Sequence, residues 1–410
     1  MIYAIFIWHG VFLSITLAMI DFNTVFPALI TDLGGSKIVF GILYSIMLGA
    51  PYILSFLFGH FLSRHRYRRK FLILGIYLRA FAFLGMAAVT YFLGAAHPQL
   101  VLASFFAWIL LFSLSGGLAG ISYNDIIGKL LPKGKRGALF AAKQFASSLA
   151  AFGGGLIVAR VFSAQTMTFP VTHAATLFIG FSGLIIASLA FWFLREPASP
   201  VIVEEDRPSF FSMLRQVPEI LRRNREFSRF IVVENLSSFG LMIMPFYMIF
   251  AREHFVISDL YIGRYLLFQI AGTVLSNLLW GVVAGRLGAK RVVWICLILG
   301  ATIPFVALGL SYASPNLFAI TFFLMGFVMS GRRVGFEPYL LDIIPSAERA
   351  VFLGIRGTMN FLVVLLPFLG GILIQLVGYI PVFILVSGML LIASYLLKRG
   401  GVSRRAEDSH

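Results

Sequence analysis

Charge is what this sequence lacks. Of its 410 residues, 12% are Asp, Glu, Lys or Arg and 59% are hydrophobic, and the mean hydropathy is +0.92. Soluble domains carry about 25% charged residues, so the composition argues against a soluble enzyme. A single cysteine, Cys296, lies in an apolar stretch, which excludes a disulfide framework and a cysteine metal site. Glycine-rich phosphate loops, a nucleophile elbow, paired-histidine motifs and zinc spacings are also missing. No ATP site, cofactor or metal is expected, and a membrane-embedded enzyme has no cluster of catalytic groups to support it. No Lys or Arg precedes Lys37, so the opening apolar run lacks the basic region of a cleaved signal and reads as a retained membrane span.

What is present is apolar sequence in long blocks. Ala80–Asn124, Val292–Gly331 and Gly357–Leu397 hold no Asp, Glu, Lys or Arg. At about 20 residues per crossing, each block accommodates two helices, with short breaks at Gly94–Gln99, Ala313–Asn316 and Val377–Pro381. The whole pattern predicts an all-α membrane protein with twelve transmembrane helices. Spans 1 to 6 are expected near Tyr3–Ile30, Ile38–Leu62, Phe71–Leu93, Gln99–Ile127, Ala138–Phe162 and His173–Leu194. Spans 7 to 12 follow near Phe227–Phe250, Leu260–Ala284, Val292–Tyr312, Leu317–Leu341, Val351–Leu376 and Pro381–Leu397. This gives a six-helix bundle over residues 1–194, a linker over 195–226, a second bundle over 227–398 and a tail over 399–410.

The net charge of +16 is a matter of topology rather than of nucleic-acid binding. One set of alternate loops holds 24 of the Lys and Arg residues and the other holds two, Lys37 and Arg252. Basic loops stay cytoplasmic. Both termini and the linker are therefore expected in the cytoplasm, with the chain in a bacterial plasma (inner) membrane among its lipids.

The loops after spans 2 and 8 repeat one another. Gly59, Arg64, Arg68 and Arg69 fall on Gly281, Arg286, Lys290 and Arg291 at an offset of 222, and Pro132, Arg136 and Lys143 fall on Pro345, Arg349 and Arg356 at an offset of 213. Two ordered matches indicate a duplicated six-helix unit. Here the sequence resembles the major facilitator superfamily, whose signature in the loop after helix 2 is Gly-x-x-x-Asp-Arg-x-Gly-Arg-Arg. The resemblance covers nearly the whole chain and implies two pseudo-symmetric six-helix bundles. Two positions depart from it: Ser63 stands for the signature's Asp, and Arg66 for its second Gly. The carboxylate that ties this loop to neighbouring helices is thus missing from its usual place. Span 5 has Gly153-Gly154-Gly155 without the proline of the family's drug–proton antiporters.

Ionisable groups inside a bilayer cost at least about 2.5 to 3.5 kcal/mol each near its centre and usually face a cavity or a partner. Seven basic and four acidic residues lie inside the expected spans. Asp21 with Asn23 on span 1, and Glu234 with Asn235 on span 7, are candidates for proton coupling or substrate contact, because the resemblance implies that these helices line the central cavity. Glu234 can alternatively reach back to the interface. Arg79 on span 3 is a candidate for binding or for a structural tie. Arg332 and Arg333 on span 10 are further candidates, and adjacent helical residues point about 100° apart, so at most one aims squarely inward. The resemblance also implies a symmetric cytoplasmic gate in which Asp125 pairs with Arg356 and Glu337 with Lys143. The alternative keeps Asp125 with Lys129 and Glu337 with Arg333, both at i,i+4 spacing. His9, His60 and His173 are isolated and read as interfacial.

Taken together, the expected function is a monomeric secondary active transporter of a small organic solute, proton-coupled, with an anionic or amphiphilic substrate. Efflux of hydrophobic compounds by proton antiport is the alternative, and a sensor or scaffold with a transporter fold is more distant.

Overall fold

The computed structural model describes residues 2–63, 65–164, 166–198, 210–344, 352, 355–357 and 359–399. Of the residues singled out from the sequence, Arg64, Pro345 and Arg349 lie outside the described residues, as do the side chains of His60 and Arg136. Among the described residues the regular structure is helical. Ten helices are long and apolar enough to cross a membrane, and two shorter apolar segments, Lys37–Pro51 and Val363–Val377, stand at the second and eleventh expected spans. Contacts divide the chain into two compact units, residues 1–203 with 257–267 and residues 204–256 with 268–410.

The first unit contains α1 (Ile2–Met19), α2 (Val25–Asp32), α3 (Lys37–Ser63), α4 (Arg69–Leu93), α5 (Pro98–Leu130), α6 (Lys133–Ser163) and α7 (Val171–Trp192). Helix α4 packs on α5 and α7, α1 on α6 and α7, and α3 on α5. Span 1 is thus two helices. Its break lies at Asp21, whose Oδ1 accepts the Asn23 amide (3.0 Å) and the Thr24 hydroxyl (2.9 Å), while its carbonyl accepts the Phe26 amide (2.9 Å). A helix interrupted in hydrocarbon exposes backbone donors that must find partners inside the protein, and Asp21 supplies them.

The second unit contains α8 (Phe210–Arg223), α9 (Arg225–Ser237), α10 (Phe239–Ile243), α11 (Phe246–His254), most of α12 (Leu260–Leu287), α13 (Ala289–Ser311), α14 (Pro315–Ile343), a 3-10 turn at Asn360–Leu365, α15 (Leu366–Val377) and α16 (Tyr379–Arg399). Span 7 is accordingly three short helices, jointed at Ser238 and at Met244-Pro245, and span 11 enters its α-helix through the 3-10 turn. The linker, expected to be only polar, carries α8, which is separated from α9 by Asn224 accepting the Phe227 amide (3.0 Å). Outward faces are apolar: Phe92 is 74% exposed and Leu278 77%, as lipid contact requires.

Glycine sets the closest approach in this unit. A Cβ on Gly326 of α14 would stand 1.9 Å from the Gln269 carbonyl oxygen of α12, and one on Gly272 would stand 2.0 Å from the Phe323 carbonyl oxygen. The near-contact of backbones brings Trp280 Nε1 to donate to the Phe327 carbonyl (3.0 Å) and Ser330 to donate to Asn277 Oδ1 (2.6 Å). Small residues serve this purpose where apolar burial gives no net drive between helices. Gly326→Val is expected to lower stability by about 3 kcal/mol or more, since backbone cannot yield as a side chain does. Thermal unfolding in detergent checks this, and a midpoint equal to the parent's would refute the packing argument.

Candidate functional site

In the second unit the chemistry gathers where α9 ends. Glu234 is 5% exposed, one turn before the joint at Ser238. Both of its carboxylate oxygens accept Arg356 Nε (3.0 Å each), Oε1 also accepts Arg356 Nη2 (2.6 Å), and Oε2 accepts Asn360 Nδ2 (3.1 Å). Arg356 turns its remaining nitrogen, Nη1, to Glu337 Oε2 (2.6 Å). Asn235 donates to Asn360 Oδ1 (3.3 Å) and to the Ile231 carbonyl (2.9 Å). The joint itself is held by Ser237 and Ser238, whose hydroxyls donate to the Glu234 carbonyl (2.6 and 2.9 Å). Arg332 Nη1 donates to the Ser237 carbonyl (3.0 Å) and hydroxyl (2.7 Å), and its guanidinium lies over Phe336 at 4.9 Å. Arg333 is exposed. Only Arg332 therefore turns inward, onto a cavity of about 20 Å³ that is lined also by Met244, Tyr247, Met325 and Leu390. That volume suits one water molecule.

The first unit is arranged differently. Arg79 lies with its guanidinium over the Phe112 ring at 4.2 Å, close against Gly116, and its buried Nε has no hydrogen-bond partner among the described residues. Lys143 Nζ lies over the Tyr123 ring at 4.6 Å. Among the described residues neither cation is ion-paired. His9, expected at the interface, is buried at 7% exposure between Tyr123 and Phe191, with ring centroids at 5.4 and 5.0 Å. His173 is buried too, and its Nε2 meets Asp32 Oδ2 at 2.9 Å. These corrections share a cause, since an imidazole with an apolar body packs into a bundle when rings or a carboxylate receive it.

Three of the four residues read as the symmetric gate have partners within their own units. Asp125 bonds Arg68 (2.5 Å) and Lys129 (2.8 Å), and Glu337 bonds Arg356 rather than its i,i+4 neighbour Arg333. The signature loop also has its carboxylate after all. Glu196, just past α7, accepts the backbone amides of Arg68 (2.9 and 2.8 Å) and Arg69 (2.7 Å) and pairs with Lys129. It answers the free amides at the start of α4, which is where a negative charge is most stabilising. Arg69 also donates to the Leu194 carbonyl (2.6 Å). In the second copy, Lys290 Nζ lies over the Tyr339 ring at 5.8 Å and Arg291 over Trp294 at 5.7 Å, while Gly281 and Arg286 are exposed. Sequence reasoning missed Glu196, Asn360, Ser237, His9 and Tyr123. Asn360 had a usable signal, its i,i+4 spacing from Arg356; the others are joined to their partners only by folding.

The profile of the Major Facilitator Superfamily matches residues 8–263 and 230–408. The chain belongs to the major facilitator superfamily. It is a multi-pass integral membrane protein with the twelve-helix fold of two pseudo-symmetric bundles. This superfamily member is 27% identical over 273 residues to an uncharacterized protein of Aquifex aeolicus (strain VF5), a match covering 66% of the chain and 63% of that protein's length. Among solved structures it is similar to the nucleoside transporter NupG, with a TM-score of 0.69 and 16% identity over 97% of this chain and 99% of that one. It is also similar to a D-xylose-proton symporter, with a TM-score of 0.64 and 16% identity over 97% and 96% of the respective chains. At such identities the likeness shows the fold.

Removing one partner of a buried pair strands the other charge, at a cost of about 3–5 kcal/mol. Glu234→Ala and Arg356→Ala are each expected to destabilise by about that amount, and the double variant by clearly less than the sum. Thermal unfolding of the four proteins measures the coupling; strictly additive losses would show that the two side chains do not act as a pair.

Proposed function

We propose that this superfamily member is a secondary active transporter moving a small organic anion, or an amphiphile bearing an anionic group, by alternating access, with protons as the coupling ion. The observation that carries the substrate class is Arg79. A guanidinium inside a membrane bundle, facing a ring and lacking any carboxylate partner among the described residues, is a costly feature unless a countercharge arrives with the solute. A cationic substrate would add to that cost.

Two carboxylates are the coupling candidates, and their surroundings suggest different duties. Glu234 lies beside a helix joint and holds Arg356, so protonating it releases a guanidinium. Asp21 caps the restart of α2, so protonating it loosens a joint in span 1. The orientation follows the basic loops, with both termini in the cytoplasm and the protein a monomer in the plasma membrane. Efflux of hydrophobic compounds is the second reading, favoured by the mostly apolar lining of the cavity at Arg332.

Proteoliposomes tested for uptake and counterflow of organic anions, their neutral counterparts and lipophilic cations, with and without a pH gradient, decide the matter. Movement of an anion that a pH gradient accelerates is expected, with at least a tenfold loss in Arg79→Gln. If Glu234 is the coupling group, Glu234→Gln abolishes the response to the gradient while Asp21→Asn retains it; the reverse assigns Asp21. No solute moving under any gradient would defeat the transport reading for these solutes, and movement of neutral or cationic compounds alone would favour efflux.

A further inference from the structure

The two units handle corresponding cations in opposite ways. Lys143 and Arg356 stand 213 residues apart, the offset at which Pro132 and Pro345 also correspond. Arg356 has its carboxylate from span 7: Glu234, nine residues into α9 and so about 13 Å along it. On span 1 the residue at that offset from Glu234 is Asp21, whose Oδ1 is taken up by the Asn23 amide and the Thr24 hydroxyl, while the side chain near Lys143 is that of His9. Among the described residues Lys143 has no ion-pair partner, and its neighbour on span 1 is an aromatic imidazole.

The surroundings of Lys143 are polar and short of partners. A Cβ on Gly10 of α1 would meet Lys143 Cγ and Ser147 Oγ, each at 2.8 Å, so the lysine stem and the serine pass directly over α1 beside His9. The ammonium lies on the Tyr123 ring of α5, and His9 faces the same ring. Three buried polar atoms in this group, His9 Nδ1, Tyr123 Oη and Ser147 Oγ, have no hydrogen-bond partner among the described residues. His9 also lies in the fields of both Lys143 and Arg79. Tyr123 and Lys143 sit about 10 and about 15 Å from the helix ends that bear the basic loops, and Ser147 lies one turn beyond Lys143 on α6. A cation held by a ring face is attracted by about 0.5 to 2 kcal/mol, and it keeps its full charge for an anion.

We propose that His9, Tyr123, Lys143 and Ser147 bind the oxyanion group, a carboxylate or a phosphate, of an organic solute, with Lys143 as the countercharge and the hydroxyls and imidazole as hydrogen-bond donors. This rests on the reading of the protein as an organic-anion transporter and deepens it. The anion supplies to Lys143 what Glu234 supplies to Arg356. Charge-assisted bonds from an ammonium and hydroxyls select an oxyanion over its neutral amide.

The test is ligand-dependent thermal stabilisation of the purified full chain in detergent, without any gradient and at fixed ionic strength. Acetate, benzoate, inorganic phosphate and glycerol phosphate are compared with benzamide. At least one anion is expected to raise the unfolding midpoint where benzamide does not, and the arms separate carboxylate from phosphate. Lys143→Gln should weaken that anion at least tenfold and Lys143→Arg much less. Tyr123→Phe and Ser147→Ala, which remove only hydroxyls, should each weaken it two- to tenfold and serve if Lys143→Gln does not fold. No anion surpassing benzamide, or Tyr123→Phe and Ser147→Ala both binding as the parent does, would overturn the site. Transport of a neutral solute with no anion stabilisation removes the site and leaves a transporter; anion stabilisation with no transport of any solute does the opposite.

Discussion

Charge inside hydrocarbon has to be answered from within the protein, because no water is there to answer it. The Glu234–Arg356 pair meets this constraint with four hydrogen-bonding contacts from one guanidinium and a fifth from Asn360 to the carboxylate. The arrangement brings span 7, span 10 and span 11 to one point, since Glu337 holds the outer nitrogen of the same arginine. Much of the second unit's interior order follows. Arg332 fastens to the serine joint directly after Glu234, and the cavity opens beneath it.

The same constraint shapes the helix interruptions. Spans 1 and 7 are both broken, and each break lies beside the carboxylate of its span. Asp21 stabilises its break directly by accepting an amide and a hydroxyl. Glu234 does so through its carbonyl, which takes two serine hydroxyls, leaving the side chain free for Arg356. In the proposed coupling, a proton at Asp21 acts on helix geometry and a proton at Glu234 acts on its pair with Arg356.

The basic loops show how a lost motif residue is replaced. Ser63 occupies the signature's Asp position, and the loop still ends on a carboxylate, because Glu196 comes back from beyond α7 to the amides of Arg68 and Arg69. Lys129 is shared between Glu196 and Asp125, and Arg68 is tied through its backbone to one and through its side chain to the other. The result is a cluster that needs no carboxylate in the loop itself.

The sequence by itself determined the membrane class, the positions of the spans, the duplicated units and the family, because these depend on local quantities: run length, hydropathy and the spacing of a doubled motif. It also restricted the polar centre to a few residues, since so few charges lie within the spans. Only the tertiary structure decided which charge meets which. Glu234 and Arg356 are 122 residues apart and Glu196 and Arg68 are 128 apart, and no local pattern encodes such pairings. Spacing suggested Asp125 with Lys129, which is present, and Glu337 with Arg333, which is not found among the described residues, because Arg356 offers a half-buried guanidinium where Arg333 points outward. The burial of His9 was equally illegible: an isolated histidine near the start of an apolar helix reads as interfacial until Tyr123 and Phe191 close around it. Which cations keep a partner of their own is a property of packing alone.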